Sequence, residues 1–209
     1  DLPKYLRMGD ILVFNDSRVI PARLLGVRVG TSIKVEVLLL TRIEPGVWRA
    51  LVRPGRRMRE GDTFQMSSSG MMIEGEVLTV ENEGTRIVRF SGEEYLEALG
   101  SVPLPPYIHN PLKDQERYQT VYARSPGSIA APTAGLHFTK NLLQEIRSLG
   151  VKTVLVTLHV GWASFRPVKN EEIMEHGLRP EWYRIDNEAA RTISVAKREG
   201  RRIICVGTT

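Results

Sequence analysis

The chain of 209 residues is 42% hydrophobic and 25% charged, a composition that is typical of a globular protein and argues against a mainly disordered chain. No apolar run approaches the ~18 residues of a membrane span, and the start DLPKYLRMGD lacks a signal-peptide pattern, so we expect no membrane partner. The formal net charge of +5 is a modest basic excess, which permits a polyanionic partner such as nucleic acid without requiring one.

The first predicted elements are strands. Residues 11–14 (ILVF) form a short apolar run that ends at the polar NDSR of residues 15–18, as a buried strand running into a loop does. Between residues 24 and 90, the runs KVEVLLL, VWRALV, MMIEGEVLTV and TRIVRF are separated by turns that contain Gly, Pro or Asn. This spacing predicts a small antiparallel barrel or sandwich, with SSSG at residues 67–70 as a flexible hairpin tip.

Helical patterns return after residue 91. A short helix over 93–99 is predicted to end at Gly100, and VPLPPY predicts an extended connector. The later elements are a helix over 140–149 between Thr139 as N-cap and Gly150, a strand over 151–158, a helix from Asp186 or Asn187 to Glu199 that ends at Gly200, and a strand over 202–206. Strand, helix and strand in succession indicate α/β packing with parallel neighbours.

The simplest domain organisation is therefore discontinuous. Residues 1–22 and 93–209 are predicted to form one α/β domain, interrupted by a β-barrel domain over 23–92. The first strand would then belong to the sheet of the C-terminal half. We expect the chain to be a monomer.

The single cysteine, Cys205, lies in the apolar run IICV. One cysteine cannot form an internal disulfide, so we expect a reducing, cytoplasmic setting. Its apolar neighbours predict a buried and unreactive thiol.

Four polar or small-residue segments each lie beside an apolar run. They are NDSR, APTAGLHFT, HVGWASF and VGTT. Ligands of parallel α/β sheets gather where the carboxyl ends of the strands meet, so we predict that these four segments line one rim.

Ordinary structural roles are the alternatives to function at this rim. His137 and His159 could be histidines whose nitrogens are satisfied by the backbone, and Asp16 could form a structural ion pair with Arg18 or Arg23. Three of the four histidines lie in or beside such loop segments, which favours function.

Metal and common nucleotide motifs are not recognisable in the sequence. His176 lies near Glu181, but HExxH, CxxC, GxSxG, the P-loop and GxGxxG patterns are absent. We therefore expect no catalytic metal. The alternative role for His176, with Glu181 nearby, is proton transfer.

A basic run offers a candidate nucleic-acid surface. Arg53, Arg56, Arg57 and Arg59 lie in VRPGRRMRE, and Lys113, Arg117 and Arg124 follow further along. Arginines on a loop of a small barrel suit phosphate contacts, whereas a solvated turn is the alternative.

Several segments together resemble a known family. VFNDSRVIPARL, GSIAAPTAGLHFT, VTLHVGWASFRPV, EEIMEH and VGTT follow, in this order, the motifs of the S-adenosylmethionine:tRNA ribosyltransferase-isomerases of queuosine biosynthesis. The resemblance covers nearly the whole chain, and it implies an α/β barrel-like domain with an inserted small β-barrel domain.

The resemblance also implies a reaction. The ribosyl part of S-adenosylmethionine, used as a co-substrate, is moved onto 7-aminomethyl-7-deazaguanine in the wobble position of a tRNA and is isomerised, giving epoxyqueuosine. Adenine and methionine leave. Such chemistry requires proton carriers that work near neutral pH.

The resemblance implies a set of site residues. Catalytic roles fall on His137, His159, His176 and Asp16, and the sequence does not say which histidine is the base. Substrate contacts fall on Asn15, Arg18, Thr133, Gly135, Gly161, Ser164, Phe165, Arg179, Glu181, Gly207 and Thr208, and tRNA contacts on Arg56 and Arg57.

The chain departs from the family pattern in informative places. HVGWASF stands where HVGxGTF is usual, with Ala163 and Ser164 in place of Gly and Thr. HGLRPE stands where the family has a stretch resembling HxMHxE, so Arg179 takes the place of a second histidine. Two further hypotheses stay open beside this function. One is a catalytically impaired, tRNA-binding relative, and the other is an enzyme that uses S-adenosylmethionine without RNA.

Overall fold

The computed structural model describes residues 1–68, 70–81, 84–105, 107–108, 110, 112–161 and 180–207. The strands are β1 Ile11–Asn15, β2 Ser17–Val19, β3 Arg23–Arg28, β4 Lys34–Glu44, β5 Val47–Arg53, β6 Thr63–Ser68, β7 Met71–Val80, β8 Thr85–Phe90, β9 Ser125–Ser128, β10 Lys152–Leu158, β11 Tyr183–Arg184 and β12 Ile203–Cys205. The α-helices are α1 Leu96–Leu99, α2 Lys140–Ser148 and α3 Asn187–Arg198. Short 3-10 helices cover Leu2–Tyr5, Gly55–Arg57, Glu93–Tyr95, Gln115–Tyr118 and Thr133–His137.

The chain divides into two compact units. The α/β unit comprises Asp1–Val19 and Pro106–Thr209, and the barrel unit comprises Ile20–Pro105. Residues 93–105, which the sequence assigns to the α/β domain, are grouped with the barrel instead. That each unit folds as an independent domain stays a prediction.

The α/β unit is built on a four-stranded sheet in the order β11-β10-β1-β12. β1 runs parallel to both β10 and β12, whereas β11 is antiparallel to β10. The first four residues of β1 are all buried, because the sheet is covered on both faces. Ile11 and Val13 pack in one cluster with Ala189 and Ala196 of α3. Leu12 and Phe14 pack in a second cluster with Leu143 and Ile146 of α2.

The helices α2 and α3 begin where the sequence predicts and end one residue earlier than predicted. Thr139 accepts a hydrogen bond from the amide of Leu142 at the start of α2, and Asp186 accepts one from Ala189 at the start of α3. Gly150 and Gly200 follow the two helices with φ of 78° and 69°, a left-handed conformation that favours glycine.

The barrel unit is a closed, antiparallel barrel of six strands in the order β3-β4-β5-β8-β7-β6. Alternate residues along its strands point inward and bury an apolar core that includes Leu24, Val37, Phe64, Val77 and Val88. The closed barrel inserted in an α/β chain confirms the predicted fold class.

The segment after the barrel explains the position of the unit boundary. Residues 93–99 form a 3-10 turn followed by α1, and Leu96 of α1 is part of the apolar core of the barrel. Gly100 lies so close to the carbonyl of Pro21 that a side chain would not fit there. These contacts, which the sequence pattern does not show, hold the segment in the barrel unit.

The helices of the described ranges include none that is long and apolar enough to cross a membrane.

Candidate active site

Asn15 joins the ends of two central strands. Its side-chain Nδ2 donates to the carbonyl of Leu158 at 2.8 Å, and its Oδ1 accepts from the amides of Leu158 and Ser17, each at 3.0 Å. The side chain is buried, so these bonds to the backbone satisfy polar groups that water does not reach. Asn15 thereby holds the carboxyl ends of β1 and β10 together, and its predicted contact with substrate stays a prediction.

Asp16 is a buried carboxylate at the same edge. The residue is 1% exposed, its Oδ1 accepts from the hydroxyl of Thr157 at 2.7 Å, and its Oδ2 accepts from Nε of Arg124 at 2.6 Å. A buried negative charge is costly unless it is paired and hydrogen-bonded, and here both oxygens have a donor. The carboxylate is therefore held in one orientation below the rim.

The predicted partners of Asp16 were wrong. Arg18 instead forms a bidentate pair with Glu116, and Arg23 pairs with Glu36. Arg124, which the sequence places among candidate phosphate contacts, is the cation that neutralises Asp16.

His159 lies against an aromatic ring. Its imidazole stacks on the indole of Trp182, with ring centroids 4.7 Å apart and ring planes at 19°. The amide of His159 also donates to the carbonyl of Trp182 at 2.9 Å. On Gly127, an added Cβ would lie 2.5 Å from Nε2 of the imidazole, so only a glycine allows the ring to lie there. Trp182 and Gly127 together fix the position of the ring.

The surroundings of His159 favour its neutral form. Burial lowers the pKa of His159, and the positive charge of Arg184 lowers it further, whereas the negative charge of Asp16 acts in the opposite direction. Within the described ranges, Nδ1 of the ring is buried and has no hydrogen-bond partner. Burial and Arg184 together thus disfavour the charged imidazolium form of the ring.

Small polar contacts join the loop after β9 to the loop after β10. The hydroxyl of Ser128 donates to the carbonyl of Ala130 at 2.7 Å and accepts from the amide of Val160 at 3.0 Å. The amide of Ile129 donates to the carbonyl of Val160 at 3.0 Å. The segment that leads to His137 is therefore tied to the segment that carries His159.

The 3-10 turn Thr133–His137 lies beside the turn that follows β12. A Cβ added to Gly207 would lie 3.2 Å from that of Ala134, so these two segments touch. Thr133 and His137 are exposed on this turn, and Gly135 is buried next to the hydroxyl of Tyr122. The described parts of the APTAGLHFT and VGTT segments are thus in contact, and that all four segments line one rim stays a prediction.

Two amides predicted to contact substrate already have acceptors. The amide of Gly135 donates to the carbonyl of Pro132 at 2.8 Å, and that of Gly161 donates to Oε1 of Glu181 at 2.8 Å. Contacts of these glycines and of Glu181 with substrate stay predictions. His176, Ser164, Phe165, Arg179 and Thr208 lie outside the described residues.

Arg56 and Arg57 belong to the barrel unit. Both are exposed and form part of the 3-10 turn Gly55–Arg57.

A cavity of about 500 Å³ lies beside the edge of β10 rather than at the rim. Charged side chains of Arg124, Arg147, Asp186 and Glu188 contribute to its wall, whereas no histidine does among the described residues.

Cys205 corrects a further expectation. The thiol is exposed, not buried, because β12 is the edge strand of the described sheet and its residues are only partly covered. Among the described residues, no group of three or more His, Cys, Asp or Glu is placed to hold a metal ion.

Three residues of the site were missed by sequence reasoning. Trp182, Gly127 and Thr157 each contact a predicted residue that is distant along the chain. A weak signal existed for Gly127, since it lies in the small-residue run SPGS just before a predicted loop. The position of Trp182 directly after Glu181 held no such signal.

The fold and the site define an α/β protein with an inserted β-barrel, in which a buried carboxylate and a stacked imidazole follow neighbouring parallel strands. The sequence model of the family described as "Queuosine biosynthesis protein" matches residues 1–209. The chain belongs to this family, which confirms the resemblance seen in its motifs.

This chain is similar over its whole length to named proteins from other organisms. The S-adenosylmethionine:tRNA ribosyltransferase-isomerase of Desulfitobacterium hafniense is 50% identical over 213 residues, covering 100% of this chain and 62% of its own length. That of Carboxydothermus hydrogenoformans is 52% identical with the same coverage. The chain thus spans 62% of the length of these relatives.

A solved structure is also similar in sequence. It is the S-adenosylmethionine tRNA ribosyltransferase of Thermotoga maritima, which is 27% identical, with 98% of this chain and 54% of that chain covered. The TM-score is 0.35.

Proposed function

We propose that the chain carries out ribosyl transfer and isomerisation from S-adenosylmethionine to a tRNA. In this reaction the ribosyl part of the donor moves onto 7-aminomethyl-7-deazaguanine in the wobble position, epoxyqueuosine forms, and adenine and methionine leave. The family membership and the names of relatives at 50% identity support this function. The observation that carries it at the level of the site is the imidazole of His159, which follows β10 and stacks on Trp182, next to the end of β1 that carries the buried Asp16.

His159 is the proposed general base. Removal of a proton from the carbon bonded to the sulfonium sulfur needs a group that is unprotonated near pH 7, and the lowered pKa of His159 meets this need. After the transfer, the positively charged imidazolium would be stabilised by the negative charge of Asp16. Asp16 is proposed to act in this electrostatic way, since both of its oxygens already accept hydrogen bonds.

His137 is proposed as a second proton carrier. It is exposed on the turn that contacts Gly207, so its imidazole is accessible. The departure of adenine requires a proton donor, and an accessible histidine is suited to that step. His176 stays a candidate on sequence grounds alone.

The remaining expectations fit this proposal. S-adenosylmethionine is a co-substrate in it, and no metal is needed for any step. A monomeric state and a cytoplasmic location stay predictions.

A catalytically impaired relative that binds tRNA is the second candidate. The observation in its favour is Arg179, which stands where the family motif has a second histidine. An Arg cannot exchange protons at neutral pH, because its pKa lies above ~12.

One experiment separates these functions. The protein is incubated with S-adenosylmethionine, with or without tRNA that carries the deazaguanine precursor, and adenine release is measured. We expect release only with the tRNA. Binding of tRNA without release would support the impaired relative, and release without tRNA would indicate a small-molecule enzyme. A His159→Gln variant with full turnover would remove His159 from the mechanism.

A further inference from the structure

A buried arginine supports an exposed turn in the barrel unit. Arg86 is only 5% exposed, and its guanidinium donates to three backbone carbonyls: Gly55 at 2.7 Å, Met58 at 3.1 Å and Gly84 at 2.5 Å. Among the described residues, no carboxylate pairs with it. Burial lowers the pKa of Arg86, so the protein hosts this cation at a cost. A buried cation that is satisfied by carbonyls fixes the backbone to which it donates.

Two of these carbonyls bracket one short turn. Gly55 begins the 3-10 turn Gly55–Arg57, and Met58, which is fully buried, ends it. The amide of Met58 closes the turn on the carbonyl of Gly55 at 3.2 Å. Arg86 therefore clamps both ends of the turn from below, while Arg56 and Arg57 stay exposed between them.

The exposed arginines of this turn differ from the other arginines of the barrel. Most of those are matched with an acid: Arg23 with Glu36, Arg28 with Asp62, Arg42 with Glu93, Arg49 with Glu81 and Arg89 with Glu76. The guanidinium groups of Arg56, Arg57 and Arg59, here called the arginine turn, have no carboxylate within 4.0 Å in the described parts of the chain. The backbone amide of Arg59 donates to Asp62 at 2.6 Å, which leaves its guanidinium unpaired. The unpaired charge of Arg86 beneath them adds to the positive potential of this surface.

We propose that Arg86 is a positioning residue that presets the arginine turn to contact the phosphates of the RNA substrate. The identity of this partner rests on the proposed function. Guanidinium groups bind phosphate oxygens in a bidentate manner, and a turn that is already ordered loses less entropy on binding than a mobile loop does. Phosphate contacts of this kind orient an RNA without reading its sequence.

The test measures tRNA binding without turnover, at several salt concentrations. The logarithm of affinity falls linearly with the logarithm of salt concentration, and each lost phosphate contact should flatten the slope by about one unit. We expect this change for Arg56→Ala and Arg57→Ala. The matched control is Arg89→Ala, which removes an arginine of the same barrel that is paired with Glu76 and should leave the slope unchanged.

The role of Arg86 is tested by combining substitutions. Arg86→Lys keeps the charge, but its donors sit on one nitrogen and lack the planar fork with which Nε and the two terminal nitrogens of Arg86 reach three separate carbonyls. We therefore expect it to weaken tRNA binding and flatten the slope. In a chain that already lacks Arg56, Arg57 and Arg59, the same change should have no further effect on binding. An equal effect in both backgrounds would mean general damage to the fold and would overturn the proposal.

A second variant covers the case in which Arg86→Lys does not fold. A Cβ added to Gly55 would lie 3.2 Å from a guanidinium nitrogen of Arg86, so Gly55→Ala disturbs the same contact from the side of the turn. It should flatten the slope in the same way, and an unchanged slope would count against Arg86 as a clamp.

Unchanged slopes for Arg56→Ala and Arg57→Ala would overturn the proposal that the arginine turn contacts RNA, even if adenine release is normal. Flattened slopes without adenine release would overturn the transfer reaction alone.

Discussion

The imidazole of His159 and the indole of Trp182 are stacked with ring centroids 4.7 Å apart, although 22 residues lie between them in the sequence. The backbone amide of His159 also donates to the carbonyl of Trp182. Trp182 therefore holds both the ring and the backbone of His159 in place. Trp182 is itself 53% exposed and thus also forms part of the surface at this edge of the sheet. The orientation of the proposed base depends on this contact.

Removal of the indole should therefore impair the proposed base. An aromatic pair contributes about 0.5–1.5 kcal/mol, so we expect Trp182→Ala to lower adenine release by roughly tenfold or less while the fold is retained. It should also raise the pKa of His159, because burial is the main cause of its lowering. The pKa is measured by NMR titration of the ring protons. Trp182→Phe is the control, since it keeps an aromatic face and should keep most of the activity.

The pH dependence of stability follows from the same histidine. The pKa of His159 is lower in the folded chain than its ordinary value of 6.5, so the unfolded chain binds the extra proton first. Stability should fall as the pH drops from about 6.5 towards the lowered pKa and should then level off. Urea unfolding between pH 4.5 and 8, compared with His159→Gln, measures this contribution. A larger loss of stability above pH 7 than below it would contradict the assigned direction.

Local signals account for what the sequence predicts well. The caps Thr139 and Asp186 and the end at Gly150 depend on neighbouring residues only, and all three are as predicted. The alternation of inward and outward residues likewise predicts the barrel, because a strand of period two shows which face is buried.

Contacts across the chain account for what the sequence misses. Arg124 lies 108 residues from Asp16, so no local spacing could select it over the nearer Arg18 or Arg23. The exposure of Cys205 depends on the place of β12 at the edge of the described sheet, which an apolar run does not reveal. In both cases the order of the strands decides the outcome.

A carboxylate of the barrel should control its acid stability. Glu93 accepts from Arg42, from the amide of Gly46 at 2.9 Å and from the indole of Trp48 at 2.8 Å, and the bond from Arg42 is the main cause that lowers the pKa of Glu93 to about 2. This stability is present above the ordinary pKa of 4.5 and is lost as the pH falls towards about 2.

We expect Glu93→Gln to destabilise the protein by roughly 1–3 kcal/mol at pH 7, because a charged acceptor is lost. The difference from the unchanged protein should shrink between pH 4.5 and about 2. Thermal unfolding over this range measures it. Glu94→Gln, at an exposed neighbouring site, is the control and should have little effect.

The position of the His159 ring should also depend on Gly127. A Cβ at this residue would lie 2.5 Å from Nε2, which is closer than real Cβ contacts, so Gly127→Ala must displace the imidazole or the loop. A misplacement of about 1 Å in a catalytic group can cost about 100-fold in rate, and we expect a loss of adenine release of this order. Gly127 has a φ of 139°, so some loss of stability from backbone strain is also expected.

Gly200→Ala separates strain from displacement, because Gly200 has a φ of 69° and no atom lies within 4 Å of its added Cβ. This control should lose stability by about 1 kcal/mol and keep its adenine release. The decisive measurement is adenine release per folded molecule for both variants, with the folded fraction taken from unfolding curves. If Gly127→Ala released adenine as fast as Gly200→Ala, the contact of Gly127 with the imidazole would not limit the reaction, and this result would count against His159 as the base that removes the proton.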